Sequence, residues 1–286
     1  MTIHDGATKQ ERLAPGLIDD ATIDAFERDG AVAVRGLIDE RWIELLRDRV
    51  DDLVSLAYDP RARMGQVSDD QPETRTADNL WRENDAFRRF LFESPIGEAA
   101  ATVSRSQRAR LFEDLMIYQE PWARPKTSWH QDEPGWPVGG RQLSSVWFSL
   151  EAVTADTGAM RFVAGSHRGP MYDPGFSKSR AVQEAGTAER YWTGGPVPDV
   201  NADPDRFRVL TIEAEPGDAI VFHPRALHTA YGASPSHPRR TFTIRFMGDD
   251  IRWTPKGTFY HQWMRDTGLQ EGDEPDHPRF PIIWQA

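Results

Sequence analysis

The chain has 286 residues, carries 34 Lys and Arg against 45 Asp and Glu for a net charge of −11, and contains no cysteine. The lack of cysteine excludes disulfides, thiolate metal sites and cysteine nucleophiles together, and the expected compartment is the reducing cytoplasm. An acidic balance speaks against a nucleic-acid partner, and the first thirty residues hold no uninterrupted apolar run, so neither a signal peptide nor a membrane anchor is expected.

At roughly 150 residues per domain the length allows two, but all-β domains often run past 200 residues, and one domain over 1–286 is expected. Residues 1–16 read as a polar, flexible lead-in and residues 17–110 as mainly helical support. Within that support a short helix is expected from Ile18 to Phe26, capped by Asp19 or Asp20 and stopped at Gly30. The run Ala31-Val32-Ala33-Val34 reads as a strand. Residues 39–57 place Trp42, Leu45, Leu46, Val50, Leu53 and Leu56 on one helical face behind an aspartate cap. Residues 60–79 read as polar and irregular. A further helical region is expected from Trp81 to about Val103, broken near Pro95.

After Arg110 the texture changes. Short apolar runs alternate with Gly/Pro turns: LFEDLMIYQ, TSWHQD, QLSSVWFSL, AMRFVAG, RVLTIEA, DAIVFH and TFTIRFMG. Evenly spaced short strands predict a sandwich or small barrel over 111–250. The charged, Gly/Pro-rich stretch 168–208 interrupts them as a binding loop or lid, and 251–286 is a C-terminal extension.

The chemistry begins at Trp129-His130-Gln131-Asp132. If this stretch is a strand, His130 and Asp132 share one face and Gln131 takes the other. An imidazole and a carboxylate on one face can bind a divalent metal, although a lone HxD is weak evidence. The later stretch GDAIVFHPRALH offers His223 and His228 as third ligands. Alternation on TFTIRFMG puts Phe242, Ile244 and Phe246 with Arg240, and Thr241, Thr243 and Arg245 with Arg239. If the polar face lines the cavity, Arg239 points inward. Two histidines and one carboxylate with open positions make the facial triad of non-haem Fe(II) oxygenases. A nearby arginine suits a bidentate carboxylate clamp.

These motifs, together with DGAVAVRGLID, VWFSLEAVTADTGAMRFVAGSH and RRTFTIRFMGDD, resemble the phytanoyl-CoA dioxygenase family of Fe(II)/2-oxoglutarate oxygenases from about Gly30 to Asp250. The resemblance implies a mainly β fold with flanking helices, a double-stranded β-helix (jelly roll, cupin-like). It implies His130, Asp132 and His228 as iron ligands and Arg239, eleven residues after His228, as the 2-oxoglutarate anchor. Trp147 matches a position beside 2-oxoglutarate, and His223 matches a residue that is not a ligand. Members use O₂ and convert 2-oxoglutarate to succinate and CO₂ while oxidising a substrate. Gln119 falls where many members carry a lysine for 2-oxoglutarate, Ala230 replaces a common hydroxyl residue, and Ala164-Gly165-Ser166-His167 replaces a Pro-Gly-Ser/Thr-His turn.

Trp136, Gln131 and Tyr172 are the expected substrate contacts, with further aromatics of the insertion as lid residues. Arg245 and Arg252 are expected on the surface or in a salt bridge, and His167 in a turn. The expected activity is hydroxylation, or another oxidation, of an unactivated C–H in a small lipophilic or aromatic metabolite. Alternatives are an acyl-CoA or carrier-linked acyl hydroxylase, a non-oxidative metal-dependent barrel enzyme and a non-catalytic binding protein. The expected partner is a small-molecule substrate, with no nucleic acid and no membrane, and the oligomeric state is left unspecified.

Overall fold

The structure is a computed structural model that describes residues 10–56, 74–123, 127–175, 188–232, 236–256 and 266–286. Helix α1 (Asp20–Asp29) begins where Asp19 Oδ1 accepts the Thr22 amide at 2.8 Å. It ends at Gly30, whose φ of 83° is left-handed and whose missing Cβ leaves room for the His167 ring. Strand β1 (Ala31–Val34) follows, then α2 (Glu40–Leu56), whose first turn is capped by Asp39 accepting the Arg41 amide.

The stretch read as irregular is, over Thr74–Asp78, a strand (β2), followed by Asn79 in a left-handed conformation; residues 60–73 lie outside the described residues. The sequence TRTAD lacks the alternation of apolar residues that marks a strand, and pairing with the next strand supplies the order instead. The region from Trp81 divides as expected near Pro95 into α3 (Asp85–Glu93) and α4 (Ile96–Val103), with a 3-10 turn at Leu80–Arg82 ahead of them.

The core strands are β3 (Arg108–Gln119), β4 (Val138–Gly139), β5 (Leu143–Ser149), β6 (Thr157–Val163), β7 (Val209–Ile212), β8 (Ala219–Phe222), β9 (His228–Gly232) and β10 (Arg239–Met247). Two more, β11 (Arg252–Trp253) and β12 (Ile282–Gln285), come from the C-terminal extension. The large sheet has the order β1-β8-β5-β10-β3-β12, with β2 also on β3, and a smaller sheet has the order β7-β6-β9. This is the mainly β jelly-roll arrangement expected. The extension thus supplies an edge strand of the large sheet. The lead-in is also held in part: Glu11 N donates to Glu93 O at 2.7 Å and Leu13 N to Glu98 Oε2 at 2.9 Å.

The large sheet has two unlike faces because its residues alternate. Val146, Phe148, Phe242, Ile244 and Phe246 pack against Leu46, Phe90 and Ala100 of the helices in the main core. Phe148 and Phe242 stack at 5.1 Å across β5 and β10. Truncating either to Ala would cost about 3–5 kcal/mol. The opposite face looks at the smaller sheet, where Trp147, Ile220 and Phe222 meet Met160 and Phe162. Directly paired residues share a face, so one interior row runs Trp147–Thr243–Leu115 and another runs Arg239–Gln119–Thr74. Among the polar side chains these rows bring to the interior are Thr243, Arg239, Gln119 and Thr74. No helix of the described residues is long and apolar enough to cross a membrane.

Candidate metal centre

His130 is not in a regular strand. It forms an isolated antiparallel bridge with His228 at the start of β9, His130 N donating to His228 O at 3.1 Å and His228 N to His130 O at 2.9 Å. Residues so paired project to one side, and the two rings stand 4.2 Å apart. Asp132 reaches the same place by a different route from the alternation expected. Its backbone is helical, with φ −79° and ψ −44°, and opens a 3-10 turn over Glu133–Gly135. Asp132 N and Glu133 N both donate to Pro224 O, which pins this turn beside the approach to β9.

The donor atoms of His130, Asp132 and His228 all lie within 4.8 Å of one another. Asp132 Oδ1 is 3.3 Å from His130 Nε2 and 3.9 Å from His228 Nε2. Each ring is oriented from behind, because His130 Nδ1 sits 2.9 Å from Ser128 O and His228 Nδ1 sits 2.9 Å from Ala226 O. A carbonyl only accepts, so both Nδ1 atoms carry a proton, which leaves Nε2 of each ring, the atom turned towards Asp132, as the one that can bind a metal. Burial and the neighbouring His130 push the His228 pKa down to about 4, keeping that ring neutral at pH 7. Burial alone would lower His130, but its hydrogen bond to Asp132 and that carboxylate's charge outweigh this and raise it. Burial likewise opposes ionisation of Asp132, yet Arg245 and the two imidazoles hold its pKa well below the carboxylate range. Two imidazole nitrogens and one carboxylate oxygen converging from one side fit a divalent iron.

His223, the other histidine weighed as a ligand, is elsewhere. It is buried, accepts the Arg225 amide at Nδ1 and faces His167 at 5.6 Å. His167 lies in a 3-10 turn, as expected, with Nε2 3.1 Å from Glu27 O.

Arg239 turns inward with the polar face of β10. It is 5% exposed, and its guanidinium donates to Gln119 Oε1 and Thr157 O, both neutral acceptors. Burial depresses its pKa to about 10, and the one carboxylate that supports its charge, Glu151, is committed to Arg240. A buried cation among neutral acceptors is costly unless an anion completes the site. Beside it, on the next strand of the same row, the Thr74 hydroxyl is buried without a partner among the described residues. Arg239, Gln119 and Thr74 therefore fit one end of a dicarboxylate. Trp147 is buried on the same interior face, next to Thr243.

The three residues expected at the substrate sit on the flank of the centre. Trp136 is 1% exposed and packs on Phe112 at 4.9 Å, with the Arg245 guanidinium 5.3 Å from its own ring centroid. Gln131 spends its amide on three backbone groups, donating to Pro170 O and Arg225 O and accepting Tyr172 N. Tyr172 packs with Trp129 against Val163, Val200 and Leu227. Of the insertion's further aromatics, Phe176 lies outside the described residues.

Arg245 belongs to the centre, although its sequence position suggested the surface or a salt bridge. Its salt bridges are internal: it pairs with Glu113 on β3 and approaches Asp132 Oδ2 at 3.6 Å. The signal was present, since Arg245 shares the Arg239 face. Thr74 gave no such signal in a stretch without apolar alternation. Glu133 was also missed; it is fully buried and binds the Arg225 guanidinium through both oxygens, at 2.9 and 2.7 Å.

A model of the phytanoyl-CoA dioxygenase family matches residues 26–241. A phytanoyl-CoA dioxygenase domain-containing protein 1 homolog of Caenorhabditis briggsae is 20% identical over 88% of this chain and 96% of its own length. Among solved structures, the chain is similar to the non-haem α-ketoglutarate-dependent epimerase SnoN of nogalamycin biosynthesis, with TM-score 0.71, 24% identity and coverage of 93% of this chain and 96% of that one. The carbocyclase SnoK of the same biosynthesis matches with TM-score 0.70, 16% identity and coverage of 93% and 96%. EctD of S. alaskensis, in its apo form, matches with TM-score 0.68, 17% identity and coverage of 94% and 89%. These structures share the fold. With the family match spanning most of the chain and the His130–Asp132–His228 centre inside it, the chain belongs to the phytanoyl-CoA dioxygenase family of Fe(II)/2-oxoglutarate-dependent oxygenases.

Proposed function

We propose that the protein hydroxylates, or otherwise oxidises, an unactivated C–H of a small lipophilic or aromatic metabolite, with 2-oxoglutarate as co-substrate. The observation that carries the co-substrate assignment is Arg239, a buried guanidinium whose hydrogen bonds among the described residues go to neutral groups, placed in the same interior as the three donors. His130 and His228 would hold Fe(II) through Nε2 and Asp132 through Oδ1. Arg239, with Gln119 and Thr74 beside it, would take the distal carboxylate of 2-oxoglutarate, and Trp147 would wall that end. Bound iron supplies the activation of O₂ that is coupled to loss of CO₂ from 2-oxoglutarate. The protein's own groups orient the reactants, turn Nε2 of both imidazoles to the metal position and neutralise the carboxylate.

The substrate class rests on what surrounds the centre. Leu115 and Ile117 are half-buried on the interior face of β3, and Trp129 and Tyr172 are half-buried beside His130. An acyl-CoA would call for free cations to meet its phosphates. Among the described residues three arginines of the insertion are engaged: Arg168 donates to Glu27 O and Arg28 O, Arg190 pairs with Glu271 and Arg208 with Asp29, while the exposed Arg206 lies over the Phe207 ring. The fold also accepts such ligands elsewhere, since SnoN is solved with Fe³⁺, α-ketoglutarate and nogalamycin RO. In this reading Tyr172 is a substrate contact, whereas Gln131 and Trp136 support the wall behind it.

The test is succinate release from 2-oxoglutarate in the presence of Fe(II) and O₂ across a substrate panel. Stimulation by free lipophilic or aromatic small molecules is expected. Stimulation by CoA thioesters alone would overturn the substrate class.

A further inference from the structure

Asp132 has two oxygens, and the structure uses them differently. Oδ1 faces the histidines, at 3.3 Å from His130 Nε2 and 3.9 Å from His228 Nε2. Oδ2 faces Arg245, whose Nη2 is 3.6 Å away. Arg245 is held on two further sides. Glu113, its direct cross-strand neighbour on β3, forms an ion pair with it, and the Trp136 ring lies 5.3 Å from its guanidinium carbon. The side chains of Arg245, Glu113 and Asp132 are 12%, 2% and 11% exposed. Arginine keeps its charge and its planar fork in such a place.

We infer that Arg245 is a positioning residue that keeps Asp132 a one-oxygen ligand, with Oδ2 reserved for the guanidinium. The inference rests on the iron/2-oxoglutarate reading above and adds a reason for the Arg245–Glu113 pair. Three single-donor ligands occupy half of an octahedral sphere, and the other half is what a chelating co-substrate and O₂ together require. A carboxylate that closes onto the metal through both oxygens takes one of those positions. Carboxylates bind metals either way, so denticity is set by what else holds the second oxygen. Here a buried, braced cation holds it. Glu113 in turn prevents Arg245 from withdrawing, and Trp136 closes the remaining side.

Removing Arg245 alone takes a counter-charge from the buried Glu113, so the decisive variant is the double replacement Glu113→Gln/Arg245→Met, which leaves the buried net charge unchanged. Its readouts are Mn(II) affinity by EPR titration and 2-oxoglutarate affinity of the Mn(II)-loaded protein by calorimetry. Expected are Mn(II) affinity close to wild type and 2-oxoglutarate affinity weaker by roughly tenfold or more. Arg245→Lys, which keeps the charge but loses the fork, is expected to fall between. Unchanged 2-oxoglutarate affinity in the double variant overturns the inference, as does joint loss of Mn(II) and 2-oxoglutarate binding, which would mark Arg245 as scaffold. Wild-type protein that binds Mn(II) but not 2-oxoglutarate would instead refute the co-substrate reading itself.

Discussion

Arg239 and Gly158 are locked together: a Cβ built on Gly158 would fall 1.4 Å from Arg239 Nη1, and the glycine's φ of 109° is one that other residues rarely adopt. The glycine is therefore the space in which the guanidinium rests. Arg239→Met is expected to weaken 2-oxoglutarate binding by at least about 2 kcal/mol, near thirtyfold, because a buried charged hydrogen-bond partner is removed. Gly158→Ala should reproduce much of that loss by pushing the guanidinium aside. Metal affinity should be unchanged in both, as calorimetry with Mn(II) and then 2-oxoglutarate would show.

Asp114 sits on the helix side of β3, 3% exposed, with Oδ1 lacking a partner among the described residues and Oδ2 3.4 Å from the Trp81 amide. Burial raises its pKa to about 7. The folded protein therefore holds this proton where the unfolded chain releases it near pH 4, so the group costs stability increasingly as pH rises from about 4 to 7. Asp114→Asn is expected to raise the melting temperature at pH 8. The gain should shrink as pH falls through 7 and disappear near 4. A gain independent of pH would contradict the assignment.

Glu133 adjoins the ligand Asp132 and binds Arg225 in a fork. Glu133→Ala leaves Arg225 without its counter-charge, a change worth 3–5 kcal/mol when both partners are buried. Arg225 is 30% exposed, so a loss at the low end, about 3 kcal/mol, is expected from urea unfolding of the metal-free protein.

Gln131 joins the metal-bearing turn to Pro170 and Tyr172, and Trp192 Nε1 donates to Pro134 O on the far side of Asp132. Both described ends of the insertion are thus tied to residues flanking one ligand. Gln131→Leu is expected to leave 2-oxoglutarate affinity intact and to raise KM for the organic substrate. An unchanged KM would show that the tie does not reach the substrate.

Strand alternation was enough to identify much of this site. It separated Arg239 from Arg240, and the structure sends Arg240 to Asp51 and Glu151 on the helix side. It also placed the threonines of β10 on the Arg239 face. Alternation did not describe the HxD segment, because His130 lies in a single bridge and Asp132 in a helical turn, a geometry set by Pro224 O from a distant part of the chain. Thr74 was illegible for the same reason: β2 is ordered by β3, not by its own pattern. Arg245 was visible on the right face but was read as a surface or salt-bridge group, since nothing local to β10 announces Glu113 or Asp132 as its partners.

Anaerobic addition of Fe(II) and 2-oxoglutarate, followed by visible absorption, addresses the central point that three separated side chains share one metal. Wild-type protein should develop the charge-transfer band of the iron chelate, and His228→Ala and Asp132→Ala should lose it while keeping their circular dichroism. A wild-type protein that shows no band, or a His228→Ala protein that shows the same one, would contradict the account.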